Sequence, residues 1–73
     1  MELKNEIIEV DGKQWMVRQA VSREAALSEI AMARVTGSVG GKSTLTRGGV
    51  AAVQADVVRL NSDGTETQPY SGY

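Results

Sequence analysis

Apolar and polar residues alternate over residues 5–21. Ile8 and Val10 alternate with Glu9 and Asp11, and Trp15, Val17 and Val21 are set against Met16, Arg18 and Ala20. A period of two predicts strands with one buried face. Between the two runs stands Asp11-Gly12, a turn dipeptide whose glycine takes positive φ without steric cost. The segment is therefore expected to form a β-hairpin.

The period then changes. Ser22 is a suitable N-cap, because its hydroxyl can accept an unpaired amide of the first helical turn. Glu24 suits the positive end of the helix dipole. Ala26, Leu27, Ile30, Ala31 and Ala33 share one stripe of a helix over 23–35, while Glu24, Ser28 and Met32 lie away from its centre. Gly37 stands where a helix ends in a left-handed residue.

Residues 50–60 fit two periods. Val50, Val53, Val57 and Leu60 have helical spacing. Ala51, Val53, Ala55 and Val57 alternate as in a strand, with Val58 and Leu60 on the other face. The flanks favour a strand: Gly48-Gly49 starts a helix poorly, and Asn61-Ser62-Asp63-Gly64 reads as a turn. A second hairpin is expected, with a long third strand over 50–60 and a short fourth through Thr65-Glu66-Thr67. Pro69 ends that fourth strand or keeps it at an edge, and residues 69–73 form a tail. The expected architecture is a single small α+β domain over 1–73, ordered ββαββ. One helix packs on an antiparallel sheet through Leu27, Ile30, Val17, Val10, Val57 and Leu60, and a long Gly-rich loop spans 37–49.

Composition narrows what such a domain can do. With 73 residues and no Phe, the core must come from Ile, Val, Leu, Met, Ala and the one Trp. A chain this short buries only about 60% of its unfolded surface. Small domains therefore lean on disulfides, a metal or association. Cysteine and histidine are both absent, which excludes disulfides and a His/Cys zinc site. Oligomerisation or docking on other protein subunits remains, and no cofactor is expected. No apolar run reaches the roughly 20 residues of a membrane span, so no membrane partner is expected. The N-terminus shows no signal-peptide pattern.

Net charge is −1, too small for bulk attraction to nucleic acid. The charge is unevenly spread, however. Residues 31–55 carry Arg34, Lys42 and Arg47 and no acid. Within them, Gly40-Gly41-Lys42-Ser43 invites a phosphate-loop reading. That pattern needs glycine where Thr36 stands, and it must follow a strand and open a helix. Neither condition is met. The loop could still hold an anion, with Gly40 and Gly41 turning backbone amides one way and Lys42 and Arg47 adding charge. The plainer reading is a tether between helix and third strand. Trp15 is expected in the core rather than at an interface, since this core needs its area. Arg18, Arg23 and Arg34 read as solvated, with Arg34 lying along the helix stripe. Without His or Cys, a nucleophile lacks a base, and no enzyme is expected. Tyr70 and Tyr73 in the tail would be natural anchors on a neighbouring subunit.

The segment Glu9-Val10-Asp11-Gly12-Lys13, then Val17-Arg18-Gln19-Ala20-Val21-Ser22, then Ala26-Leu27 and Ile30-Ala31 resembles small bacteriophage proteins. In these an Asp-Gly hairpin leads through a serine cap into a short helix. It is similar to the head-completion proteins of lambda-like phages over about 23 residues. This chain lacks their preceding helix, and its second half has no counterpart there. The resemblance implies a virion protein that docks on other virion proteins, located in the virion or the host cytoplasm. Two other readings stand beside it: a small inhibitor of a host protein, and nucleic-acid binding through the basic loop.

Overall fold

The computed structural model describes residues 2–67. The chain forms β1 (Leu3–Val10), β2 (Lys13–Ala20), α1 (Arg23–Thr36), β3 (Gly40–Arg47) and β4 (Val50–Arg59). The order is ββαββ. The strands make one antiparallel sheet in the order β1-β2-β4-β3, with α1 resting on β2, β4 and β3.

The first hairpin turns at Asp11 (φ 51°) and Gly12 (φ 77°). Two positive φ values match the twist of the flanking strands. Ile8 pairs with Trp15, and both are buried under the helix with Val17. Beyond Val17 the expected alternation breaks. The register against β4 shifts between Val17 and Gln19, so a β-bulge inverts the phase of β2. Ala20 becomes fully buried, and Val21, expected inward, is 44% exposed.

The helix starts and stops where its caps require. Ser22 is extended, and its Oγ accepts the Ala25 N–H at 3.1 Å. At the other end Gly37 is left-handed at φ 73°. The Gly37 N–H donates to the Arg34 carbonyl at 3.3 Å and the Ser38 N–H to the Ala33 carbonyl at 2.8 Å, the paired bonds of a Schellman end. The buried face is narrower than the sequence stripe. It holds Ala26, Ile30 and Ala33, while Leu27 is 39% exposed and Ala31 is exposed. At about 100° per residue, these two sit on the flank of a face centred between Ala26 and Ala33. The two alanines let the helix lie close to the sheet, with Ile30 filling the space between them.

The second hairpin is built from other residues than expected. Residues 50–60 are extended, as their flanks indicate, but their hairpin partner precedes them. Gly40–Arg47, expected within a loop over 37–49, is the strand β3, and Gly48-Gly49 (φ 56° and 79°) is its turn into β4. Apart from the helix-capping Gly37, only 38–39 of that span remains outside a strand or turn. Gly48-Gly49 supplies the same two positive φ values as Asp11-Gly12, which is why the chain reverses there. The expected fourth strand reduces to a single bridge between Leu60 and Glu66. Its turn does form: the Asn61 N–H donates to the Thr65 carbonyl at 2.7 Å, and the Thr67 N–H to the Arg59 carbonyl at 2.9 Å. Pro69 and the tail from 69 to 73 lie outside the described residues.

The core comprises Ile8, Trp15, Val17, Ala20, Ala26, Ile30, Ala33, Ala55 and Val57, flanked by Leu3, Val10 and Ala25. Of the expected core, Val17, Ile30 and Val57 belong to it, Val10 packs at its rim, and Leu27 does not. Val58 and Leu60 are buried outside this cluster, in keeping with their place on the other face of β4.

Candidate interaction surface

The four candidate residues from the glycine segment, Gly40, Gly41, Lys42 and Arg47, all fall on β3. This strand pairs with β4 along one side and stands at the end of the sheet order. Among the described residues its other edge has no strand beside it. Such an edge presents unpaired N–H and C=O groups.

The path into β3 is set by the helix end. After Gly37 the Ser38 Oγ donates to the Gly40 carbonyl at 2.6 Å and accepts the Gly40 N–H at 3.3 Å. The Val39 carbonyl accepts the Arg59 N–H at 2.7 Å, which lays the chain against β4. Gly40 and Gly41 then serve close packing. A Cβ at Gly40 would stand 3.1 Å from the Val57 carbonyl oxygen, and one at Gly41 would meet the Glu29 carboxylate of α1. Neither glycine has positive φ, so they form no cradle of convergent amides.

Lys42 and Arg47 do not converge either. They are five residues apart on a strand and therefore face opposite sides of the sheet. Lys42 pairs across the ladder with Asp56, in an open cleft of about 420 Å³ that Arg18 also borders. Arg18 is committed: it lies 3.7 Å from Asp56 and is hydrogen-bonded to Glu66, which raises its guanidinium above the ordinary value. Lys42 has no ion pair among the described residues. Arg47 sits on the helix side, at a cleft of about 230 Å³ lined mainly by Val21, Leu45, Val50, Ala52 and Val53. This cleft is the apolar one. Leu45 is 48% exposed and Val50 68%.

Sequence reasoning missed these apolar residues, because it read Gly40–Arg47 as loop. The signal available was Gly48-Gly49, a hairpin dipeptide between a Thr-rich run and a Val/Ala-rich one. Trp15 is in the core at 2% exposure and offers no surface for stacking. Its indole N–H has no hydrogen-bond partner among the described residues. Arg34 is ion-paired with Asp11 of the first turn, which ties the helix end to β1 and β2. Tyr70 and Tyr73 lie outside the described residues. No group of three or more Asp or Glu is placed to hold a metal among the described residues. Nor is any helix there long and apolar enough to cross a membrane.

No family model, curated protein or solved structure matches this chain.

Proposed function

We propose that this chain is a non-enzymatic protein-interaction module that joins or decorates a larger assembly by strand addition at β3. The observation that carries this is the open β3 edge with the Val21/Leu45/Val50/Ala52 cleft beside it. Strand addition draws affinity from main-chain hydrogen bonds and specificity from pockets for alternate side chains. The occupant is an extended, acidic segment of a partner protein. β3 carries Lys42 and Arg47 and no acid, and the two cations face opposite sides. A partner strand with acids on both faces meets one on each. An apolar side chain on its helix-side face fills the cleft. The phage resemblance supports a virion assembly as the setting.

A basic edge could also attract phosphates, yet several features weigh against nucleic acid. The two cations of β3 diverge, and both Arg18 and Arg34 are paired with acids. The test is a titration of isotope-labelled protein with an extended peptide that carries Glu on both faces and a Val on its helix-side face and, separately, with generic duplex DNA. The peptide should shift and protect the amides of Gly40–Arg47. Lys42→Ala with Arg47→Ala should weaken this while barely changing stability, since exposed charges contribute little to folding. No response at β3, or tighter binding to DNA with a steep salt dependence, would overturn the proposal. The setting has its own check. The gene is expected among capsid and tail genes, and a place beside anti-defence genes would assign the inhibitor role instead.

A further inference from the structure

The sheet has two open edges, and their charges are opposite. Among the described residues neither β1 nor β3 has a strand on its outer side. β3 carries Lys42 and Arg47. β1 carries Glu6 and Glu9, and its one cation, Lys4, lies beyond Asn5, whose φ of 55° interrupts the regular strand. Glu6, Glu9, Lys42 and Arg47 are exposed and make no ion pair among the described residues. Charges on an edge strand normally keep copies of a chain apart. That requires the same sign on both edges. Opposite signs instead draw β1 of one copy to β3 of another.

We infer that the partner of the β3 edge is β1 of a second copy, joined head to tail. This rests on strand addition at β3 and names the segment that is added. The directions agree. Each strand in the order β1-β2-β4-β3 is antiparallel to its neighbour, so β1 and β3 run in opposite directions. A copy shifted sideways without being turned over therefore sets its β1 antiparallel to β3, and both helices stay on one side of the sheet. The faces agree as well. Glu6 pairs with the buried Val17 and so shares the helix side with Arg47, whereas Glu9 pairs with Gln14 on the other side, which Lys42 shares.

Placing Glu6 opposite Arg47 also places Ile8 opposite Leu45 and Glu9 opposite Thr44, one diagonal step from Lys42. Residues 6–10 then lie along 43–47. Neighbouring charges do not oppose this register. Lys4 adjoins the inward Leu3 and lies on the face away from Arg47, and Lys13 stands one strand further in, beside Val10. Asp56, across the ladder from Lys42, is engaged by Arg18. The contact leaves a free β1 and a free β3 at its two ends, so it continues as a filament or closes as a ring. The exposed half of one copy's second hairpin is then flanked by the covered first hairpin of the next.

Sedimentation velocity on the whole chain, from roughly 1 μM to 1 mM, tests this. The wild type should form species larger than a dimer, and fewer of them as salt is raised. Glu6→Lys with Glu9→Lys makes both edges basic, and Lys42→Glu with Arg47→Glu makes both acidic. Each variant alone should associate at least about tenfold more weakly than the wild type. Mixed in equal amounts they should assemble again, because each offers the other an edge of opposite charge. That recovery also shows that both are folded. Glu6→Gln with Glu9→Gln, a milder change, should weaken association in the same direction. A wild type that stays monomeric overturns the inference, and so does one that stops at a dimer. Association that either lysine- or glutamine-bearing β1 variant keeps in full, or a mixture that stays monomeric, overturns it too. The peptide titration separates the two claims. If the Glu-bearing peptide binds β3 while the wild type stays monomeric, strand addition stands and the second copy falls. If neither peptide nor copy engages β3, both fall.

Discussion

The two hairpins share a turn and little else. Asp11-Gly12 and Gly48-Gly49 have nearly the same pairs of positive φ, and each joins two antiparallel strands. Next to the first turn, Ile8, Trp15 and Val17 are 5%, 2% and 0% exposed. Next to the second, no residue from Thr44 to Ala52 is buried, and Val53 is only half-buried. The difference follows from where α1 lies. It leaves β2 at Ser22 and ends at Gly37 beside Gly40, so it covers the near half of the second hairpin and not the far half. Local turn chemistry makes a hairpin, and a covering layer makes it core. A two-stranded ribbon with no layer over it is marginal on its own. The far half of β3–β4 thus carries exposed apolar groups that its own domain does not use.

The largest expected effect separates the two regions directly. Trp15→Ala should cost about 3–5 kcal/mol, the usual range for truncating a buried aromatic. That is comparable to the whole stability of a small domain, so the variant should be largely unfolded by circular dichroism. Leu45→Ala removes a side chain that is half exposed and should change the urea midpoint by about 0.5 kcal/mol or less. If the two substitutions cost the same, the far hairpin is part of the core and the contrast collapses.

The turns give a second, smaller test. Gly12→Ala and Gly49→Ala put a Cβ at φ 77° and φ 79°, where neither would meet another atom, so both meet the same local strain. That strain is on the order of 1 kcal/mol. Its consequences should differ. In the first hairpin the strain is coupled to Ile8 and Trp15 and should lower the global denaturation midpoint. In the second it should speed amide exchange over 44–53 and leave the midpoint nearly unchanged. Equal loss of global stability would show that both hairpins fold as one cooperative unit.

This contrast also explains how much was legible in the sequence. The first hairpin and the helix could be read because local and tertiary signals agree there. Apolar alternation, a turn dipeptide, a serine cap and a terminal glycine all mark what the packing uses. The errors lie where one residue alters the phase. The bulge at Arg18 and Gln19 cannot be seen in the pattern of Val17 and Val21, yet it exchanges the fates of Ala20 and Val21. β3 was hidden because Gly40 and Gly41 lower strand propensity, and Leu45 is its one apolar side chain. Gly40 is required by the backbone carbonyl of Val57, remote in sequence and outside any local window, whereas at Gly41 the flexible Glu29 carboxylate can swing aside. The candidate cations were found, but not their divergence, since that follows only from knowing that 40–47 is extended.

The smallest expected effect concerns the near end of the second hairpin, where β4 is held by the return through Asn61–Thr67. Asp63 accepts from the Thr65 hydroxyl at 2.6 Å and from the Thr65 N–H at 3.0 Å. These bonds, the hydroxyl first, hold its carboxyl below the ordinary carboxylate value. A lowered folded pKa means that the ionised form is favoured by folding. Its contribution is complete above the ordinary value of about 3.9 and is lost as pH falls below that and through the folded value. Asp63 is fully exposed, so the loss should be local rather than global. The Thr65 amide should shift, and the Asn61–Thr65 turn loosen, only in that acid range. The β3–β4 ladder over 44–53, which contains no acid, should show no matching step. If its amides titrated together with Thr65, the return and the far hairpin would move as one body. The far hairpin would then not be the independent, docking-ready element that its exposure indicates.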